Sequence, residues 1–558
     1  MHLRLLFLAG AATAALTSPA FAAQNDTFLA GLAAMPRMSP APVAEAVPTP
    51  VAAAPAAAPS APVHPAPHPV RVARTARPAA HPVSSEPSPT SALAQKIAEQ
   101  QAQIELLMAK VDANQASAKP AEVPAPPPPK PDAAVVTMAN GRPTISSGDG
   151  RFTLAIRALG QFDTAYYAQG SHAAQLAAAN GPDLSSGQNF RRAHLGIQGK
   201  AFGDWNYQFN YDFGGSSGTE SPGRIQAAYV EYAGFAPFAV RVGAFPASAS
   251  IEDNTSAADT MFLERNAPAE LQRNIAGGDG RDGISVIYAT DRIYGAFSYT
   301  GNKIADAGAF DEQQALLARL SGVVYSDDTA KIVVGANGTY VFKVADSAAG
   351  AGAPGNFTLS GAPELTVDNT GSKLVSTGTL NARRVAQWGL ESAGQWKNFY
   401  GQAGYFGFHV EQRAAAPSVD FGGWYAQASW VITGESRNYN TGSGAFGSPK
   451  PAKPFALDGS GWGAFEVAAR YSDLNLNDNQ GVLGSAMPAG GVRGGDQRVA
   501  TVGLNWYPNT MLRFELQAQN VQVSRIGTIP AGFGHGVQAN AQVGQAFNTL
   551  ALRTQISF

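Results

Sequence analysis

The 558-residue chain contains no cysteine and few charged residues. Without thiols it can form neither disulfides nor thiolate metal sites. Asp, Glu, Lys and Arg make up 14% of the chain, whereas about a quarter is usual in a soluble protein. The net charge of −2 gives no reason to expect nucleic acid as a partner. Beyond the N-terminal leader, no stretch has the roughly 20 apolar residues of a transmembrane helix. Any membrane-embedded part must therefore be a closed β-barrel.

The first residues predict a signal peptide over residues 1–23. A short polar start precedes an apolar run over residues 5–16, and Ala-Phe-Ala at 20–22 has the small-x-small pattern of a cleavage site. A membrane anchor is the weaker interpretation, because the apolar run is too short to span a bilayer. We therefore expect export from the cytoplasm.

Three segments that cannot build a core follow the leader. Residues 24–89 and 116–148 are rich in proline and, in the first case, alanine, and both are expected to be extended linkers. Between them, residues 90–115 have two apolar series at seven-residue spacing, which predicts a short coiled-coil helix. A single amphipathic helix packed on another surface is the alternative. The two series are Leu93, Gln100, Leu107 and Ile97, Ile104, Val111.

From residue 149 to residue 558 the sequence alternates between apolar and polar positions. In DWNYQFNYDF, residues 204–213, every second residue is aromatic and the residues between are polar. Such alternation places the two sets on opposite faces of a strand. One strand of this kind fits a soluble sandwich equally well. About sixteen runs of roughly ten residues, however, fit an all-β transmembrane barrel of about 16 antiparallel strands.

The lengths of the connections between strands predict which end of the barrel faces the periplasm and which faces outward. Short connections such as ATDR and YPNT alternate with long ones, including residues 346–381 and 434–460. Short periplasmic turns and long outer loops are typical of outer-membrane barrels. We therefore expect both long segments at the outer end.

The polar faces are expected to line an aqueous lumen. They carry a moderately cationic set of side chains, and a positively lined pore favours anions. Pairing between these cations and carboxylates across the wall is the alternative. The loop between Phe245 and Ile284 is long enough to fold inward, and its seven acidic residues would oppose anions if unpaired. The candidate lumen residues include Arg157, His194, Lys200 and Arg241.

Several sequence words together resemble the phosphate-selective porin O and P family. They include FRRAHLGIQGKAFGDWNYQFNYDF, AAYVEYAGFAPFAVRVGAF, TSAADTMFLERN and TVGLNWYPN. The resemblance covers about residues 150–558. It implies a sixteen-stranded, trimeric outer-membrane barrel whose inward loops form an anion site.

The resemblance also implies a set of pore and anion-binding positions. Three of the family's arginines and one of its serines have counterparts here, but Asn206 and Asp253 occupy positions where family members carry lysine. Gln226 replaces an aspartate. Because desolvating phosphate requires several charge-assisted hydrogen bonds, these changes predict weak phosphate selectivity. The full set is Arg191, Arg192, Arg265, Ser256, Asn206, Gln226 and Asp253.

We therefore expect a porin that passes small hydrophilic solutes, with a preference for anions such as phosphate. It would reside in the bacterial outer membrane as a homotrimer, surrounded by outer-membrane lipid, with its N-terminal arm in the periplasm. No cofactor or metal site is predicted. One alternative is a structural barrel that tethers the membrane to the cell wall through the arm. The other is a barrel hydrolase, although none of the barrel histidines lies in a catalytic motif.

Overall fold

The computed structural model describes residues 89–117, 133–139, 141–169, 184–215, 223–304, 306, 308–347, 349–350, 355–368, 371–527 and 544–558. These residues fall into two units, one comprising residues 89–117 and the other comprising the described residues from 133 to 558. The predicted signal peptide (1–23) and residues 24–88 of the predicted first linker lie outside the described residues.

The second unit consists mainly of β-strands. In chain order they are β1 (Ala134–Ala139), β2 (Arg142–Ser147), β3 (Thr153–Ala168), β4 (Gly187–Ala201), β5 (Trp205–Asp212), β6 (Arg224–Phe235), β7 (Phe238–Ala247), β8 (Gly278–Ala289), β9 (Ile293–Lys303), β10 (Gln314–Ser326), β11 (Ala330–Lys343), β12 (Ser360–Gly361), β13 (Val375–Ser376), β14 (Ala382–Trp396), β15 (Phe399–Gln412), β16 (Val419–Val431), β17 (Tyr439–Asn440), β18 (Ala445–Phe446), β19 (Ala464–Asp478), β20 (Val492–Tyr507), β21 (Leu512–Ser524) and β22 (Gln545–Ser557).

Sixteen of the described strands close into one antiparallel barrel. Each pairs with the next long strand in the chain, from β3 to β22, and β22 pairs back with β3. At the junction, the backbone amides of Ala158 and Phe558 each donate to the other residue's carbonyl oxygen, at 3.1 Å. Closure leaves no barrel strand with an unpaired edge, which is the requirement for crossing lipid. The predicted barrel of about 16 antiparallel strands is confirmed.

The hairpin formed by β1 and β2 adds to the barrel wall beside the first residues of β3, which β22 does not reach. Strand β2 pairs with the first residues of β3, with Thr144 opposite Ala155, on the side where β22 has already ended. This hairpin was not predicted, because it lies in residues 116–148, the predicted second linker. Ordered wall therefore begins at Ala134 rather than at residue 149.

Apolar side chains face out of the barrel and polar side chains face in. The aromatics of β5 lie on its outer face, opposite its Asn and Gln residues, as predicted. Near one end of the barrel, outward-facing aromatic side chains form a row. The ring centre of Phe399 lies 6.0 Å from that of Trp396 and 5.8 Å from that of Trp430. Near the other end, Trp388 and Tyr405 lie 5.3 Å apart. Two aromatic rows flanking an apolar band are typical of the two interfaces of a bilayer.

The connections at one end of the barrel are short. They comprise residues 202–204, 236–237, 290–292, 327–329, 397–398 and 508–511, and the C-terminal Phe558 lies at the same end. We call it the turn end. By the usual polarity of these barrels, the turn end faces the periplasm.

One connection at the turn end is long and corrects a prediction. Residues 432–463, between β16 and β19, were expected at the outer end because of their length. The first barrel strand, β3, begins at the turn end, so every even-numbered barrel strand ends there. Because β16 is the twelfth barrel strand, the connection that follows it lies at the turn end. They fold into the lumen, where Phe446 packs against Tyr400 at 5.0 Å between ring centres. We call this segment the turn-end loop.

The other unit contains one described helix, α1 (Pro89–Ser117). It coincides with the segment predicted as a coiled coil, and its apolar side chains are exposed, with Leu93 at 60% and Ile97 at 50%. The coiled coil itself stays a prediction. Among the helices in the described ranges, none is both long and apolar enough to cross a membrane.

Candidate functional site

A loop between β7 and β8, residues 248–277, crosses the lumen and contains two helices, α2 (Ile251–Asn254) and α3 (Ala267–Ala276). We call it the neck loop. Its apolar residues Met261, Phe262 and Leu263 are at most 4% exposed, and the ring of Phe262 lies over Gly503 of β20. The predicted inward fold of this loop is confirmed, and these three apolar residues anchor it.

A β-bulge turns two consecutive arginines toward the neck loop. In the pairing of β3 with β4, Gln161 lies opposite Arg192 and Phe162 lies opposite Phe190, so Arg191 is the extra residue. In a regular strand, neighbours point to opposite faces, but a bulge changes this alternation. Both arginines are 6% exposed and reach the lumen side of the wall.

The carboxylate of Glu264, in the neck loop, binds both arginines. Arg191 donates from Nε to Oε1 at 2.6 Å and from Nη2 to Oε2 at 3.1 Å, and Arg192 donates from Nη2 to Oε2 at 3.4 Å. Burial alone would raise the pKa of Glu264, but Arg191, Arg192 and Arg553 hold that pKa well below its usual value. The carboxylate is therefore ionised and neutralises much of the arginine charge.

Arg553 of β22 ties this cluster to the barrel wall. It is fully buried and forms two 2.6 Å hydrogen bonds to the carboxylate of Asp163, directly opposite on β3. It also donates to the backbone carbonyl of Leu263 and, at 3.1 Å, to Glu264. Three arginines thus meet two carboxylates, Asp163 and Glu264. We call these five residues the neck cluster.

A second charged cluster surrounds Arg273 of α3. Its guanidinium contacts Asp253 at 2.5 Å, Asp279 at 2.6 Å and Glu270 at 3.5 Å. Burial would lower the pKa of Arg273, but these carboxylates raise it well above its usual value. Gln226 donates to Asp279 at 3.1 Å, which joins β6 to the same network. Asp253 is therefore engaged in holding the neck loop in place.

Arg265 shapes the neck loop from within. It donates to the backbone carbonyls of Glu252 at 3.1 Å and Thr255 at 3.0 Å, at the C-terminal end of α2. A cation is favoured there because helix carbonyls carry partial negative charge. Ser256, the next residue, is exposed, and its hydroxyl accepts the Ala258 amide at 3.3 Å. Of the two, only Ser256 is open to solvent.

Asn206 belongs to another part of the lumen, nearer the turn end. It donates to Glu231 at 2.9 Å, and Glu231 also accepts from Arg241 at 2.6 Å. The guanidinium of Arg241 lies over the ring of Tyr229, 4.3 Å from its centre. No hydrogen bond or ion pair among the described residues joins Asn206 to the neck cluster.

The lumen face near the turn end carries further cations. Arg157 of β3 lies opposite Gly196, Lys200 of β4 lies opposite Asn206, and Arg142 of β2 lies close to Arg157. Within the part of the chain that the structure describes, Arg142, Arg157 and Lys200 have no carboxylate at ion-pair distance. We call these three residues the turn-end cations.

His194, like Arg241 but unlike Arg157 and Lys200, has an acidic partner among the described residues. Its Nε2 lies 3.3 Å from Asp212, which is also 3.6 Å from Arg224. The described residues contain no group of three or more His, Asp or Glu side chains arranged to hold a metal.

Two other connections brace the neck loop. Arg319 of β10 donates to the carbonyls of Ser443 and Gly444 in the turn-end loop at 3.0 and 2.8 Å. It also donates to Glu391 at 2.7 Å, and Glu391 accepts the amide of Ile251 in α2 at 2.8 Å. The lumen is therefore narrowed by loops from both ends that share one buried ion pair.

The loop between β11 and β14 supplies the other brace, through Glu364. Its carboxylate accepts the amide of Ala267, at the start of α3, and the guanidinium of Arg470, both at 2.7 Å. A carboxylate is favoured at this end of a helix because unpaired backbone amides point toward it.

Sequence reasoning did not identify Glu264, Arg273 or Arg553 as partners in these clusters. Glu264 was counted only among loop acids that oppose anions, whereas it binds the very arginines proposed for the anion site. Arg553 and Asp163 fall on inward positions in the alternating pattern. Their contact, however, depends on how the last strand registers against the first.

Comparison with known proteins agrees with this architecture. The chain matches the family described as Phosphate-selective porin O and P over residues 171–544. It is 27% identical to Porin O of Pseudomonas aeruginosa over 350 residues, covering 60% of this chain and 77% of that one. An uncharacterized protein of Caulobacter vibrioides is 25% identical over 452 residues, covering 77% and 84% of the two chains.

Solved structures with similar topology include an anion-selective porin from Comamonas acidovorans, which is 10% identical with a TM-score of 0.43. The alignment covers 73% of this chain and 100% of that one. The outer-membrane channel DcaP of Acinetobacter baumannii is 12% identical with a TM-score of 0.39, over 73% and 97% of the two chains. The match over residues 171–544 extends across most of the barrel. The chain therefore belongs to the phosphate-selective porin O and P family and is an outer-membrane porin, a channel rather than an enzyme.

Proposed function

We propose that this porin passes small hydrophilic solutes by diffusion and that its preference for anions arises near the turn end. The observation that carries this proposal is the set of turn-end cations, which face the lumen without carboxylate partners in the described structure. An uncompensated cation attracts anions most strongly where low-dielectric walls confine the field. Transport requires no chemical step, and selectivity is set by the charge barrier along the route.

The neck has a different role in this proposal. Its arginines, Arg191 and Arg192, donate to Glu264 and Gln161, so their charge is largely compensated. Phosphate would have to compete with a buried carboxylate for the same donors. The neck therefore acts chiefly as a size filter, with only weak selectivity for phosphate.

Replacing Arg157 and Lys200 together by Gln tests where selectivity arises. We expect the anion-to-cation permeability ratio to fall by about twenty- to thirtyfold, since each of the two unit charges near the route contributes on the order of 1 kcal/mol. Reversal potential in planar bilayers under a salt gradient measures this ratio. Lys397→Gln is the matched control, because Lys397 packs on Trp396 in the outward aromatic row. An unchanged ratio in the double variant would refute the assignment.

We also propose that the chain is exported by the predicted signal peptide and assembles as a trimer, with its N-terminal arm in the periplasm. The exposed apolar side chains of α1 recur at the seven-residue spacing of a coiled coil. Three parallel helices would bury this stripe. In this arrangement the arm would also reach the cell wall, which is the second function proposed for this chain.

Removal of residues 24–130 separates the pore from the arm. We expect single-channel conductance and reversal potential to stay unchanged, while pull-down by isolated cell wall falls to background. A variant that loses conductance despite a folded barrel would show that the arm takes part in the pore. Equal binding of the full-length and truncated proteins to cell wall would exclude the tethering function.

A further inference from the structure

The chain contains a second pair of consecutive arginines, Arg383 and Arg384, which faces away from the lumen. They lie at the outer end of β14, at another β-bulge, where Ala382 is opposite Gln412 and Arg384 is opposite Glu411. Ala382 and Val385 on either side are at most 1% exposed and point inward. The bulge therefore places both arginine side chains on the outer surface of the barrel.

The two arginines share one exposed carboxylate. Arg383 lies 3.1 Å and Arg384 lies 3.5 Å from opposite oxygens of Glu411, and their side chains are 57% and 43% exposed. Exposed ion pairs of this kind are worth only about 0–1 kcal/mol. Two guanidiniums carry ten N–H donors, of which one carboxylate can occupy only a few. The pair therefore has net positive charge and free donors directed outward.

The position of the pair indicates the kind of partner. Arg384 is four residues from Trp388, or roughly 13 Å along the strand, on the same outward face. Trp388 belongs to the aromatic row at the end of the barrel away from the turn end. Its ring centre lies 5.3 Å from that of Tyr405 in β15. Such rings lie at the boundary between acyl chains and headgroups. The guanidiniums thus lie at headgroup depth, above lipid rather than above the pore.

We propose that Arg383 and Arg384 bind the phosphate groups of a phosphorylated lipid headgroup in the outer leaflet of the membrane. Guanidinium and phosphate form strong, bidentate, charge-assisted hydrogen bonds. Glu411 holds the two side chains side by side in the absence of lipid and competes for the same donors. The acyl chains of the bound lipid lie against the apolar wall below the pair.

Native mass spectrometry of the full-length protein in detergent, with bisphosphorylated lipid A added, tests the proposal. We expect Arg383→Gln with Arg384→Gln to reduce the bound lipid at least fivefold, and Glu411→Gln to increase it two- to threefold. Lys397→Gln removes one outward charge beside Trp396, in the aromatic row near the turn end. This control variant should bind as much lipid as the native protein. Equal lipid binding by the double arginine variant and the native protein would overturn the proposal.

Two further arms separate lipid from other anions. Lipid A from which both phosphates have been removed should bind at least fivefold more weakly, and equal binding would show that the phosphates are not recognised. Inorganic phosphate at 10 mM should displace less than half of the lipid, because the acyl chains hold the headgroup in place. Full displacement would identify a site for free anions and would also refute the proposal. Unchanged conductance and heat-modifiable migration verify that the variants are folded.

Discussion

Replacing Glu264 by Gln should make the pore about fivefold more selective for anions over cations. This carboxylate binds Arg191 and Arg192 and also contacts Arg553. Its removal leaves the neck cluster with three guanidiniums and one carboxylate. A unit charge about 7 Å from a passing ion, in surroundings between protein and water in dielectric constant, contributes about 1 kcal/mol. That free energy corresponds to a factor of about five in the permeability ratio.

The same substitution should also create a phosphate site that the native neck lacks. The donors with which Arg191 and Arg192 now bind the Glu264 carboxylate would be available to a tetrahedral anion, so phosphate should block chloride current at millimolar concentration. Reversal potential and phosphate titration of single channels measure both effects. Glu270→Gln is the comparison variant, because it removes one carboxylate from the same loop but leaves the neck arginines paired. If both variants behave like the native protein, Glu264 does not compensate the arginines.

Replacing Arg553 by Met should produce the largest loss of stability among single substitutions at the neck. Arg553 and Asp163 are both fully buried, and removing one member of such a pair leaves the other charge without compensation. The usual cost is about 3–5 kcal/mol. The substitution also removes the hydrogen bonds to Leu263 and Glu264 that fasten the neck loop to the wall. Urea unfolding in detergent micelles, followed by tryptophan fluorescence, measures the free energy of unfolding.

A paired substitution distinguishes loss of charge compensation from loss of packing. Arg553→Met combined with Asp163→Asn removes both charges and should recover at least half of the lost stability. Arg498→Met, which affects a half-exposed ion pair with Asp473 at 3.1 Å, should cost no more than about 1 kcal/mol. Equal stability of the Arg553→Met variant and the native protein would contradict a bracing role for this pair.

The barrel was predictable from the sequence because its physical signal repeats along every strand. Lipid on one side and water on the other impose strict alternation, as in β5, where aromatics alternate with Asn and Gln. The hairpin of β1 and β2 escaped prediction since its strands are short and adjoin a proline-rich segment. The turn-end loop was assigned to the wrong end because its length was taken as the criterion. The end at which a connection lies is decided instead by whether the strand before it is an odd- or even-numbered strand of the barrel.

The candidate site was less predictable, because its geometry depends on contacts between distant residues. Two adjacent arginines can share one carboxylate only where a bulge aligns them, and the sequence carries no visible sign of the bulge at Arg191. Asp253 looked like a free acid in the pore, yet it binds Arg273, twenty residues further along the chain. Resemblance to a family supplied the positions, but only the folded neck loop supplies their partners.

The seam between the first and last barrel strands also restricts how the protein can be made. The wall closes only when β22 reaches β3, and the seam extends to Phe558. Contacts this distant in sequence form slowly, because the entropy cost of closing a long loop precedes any stabilisation that the contacts provide. The segment from β3 to β22 must therefore be synthesised and translocated before the barrel can close. Until then, the unpaired strand edges and apolar outer faces of the unclosed wall favour aggregation.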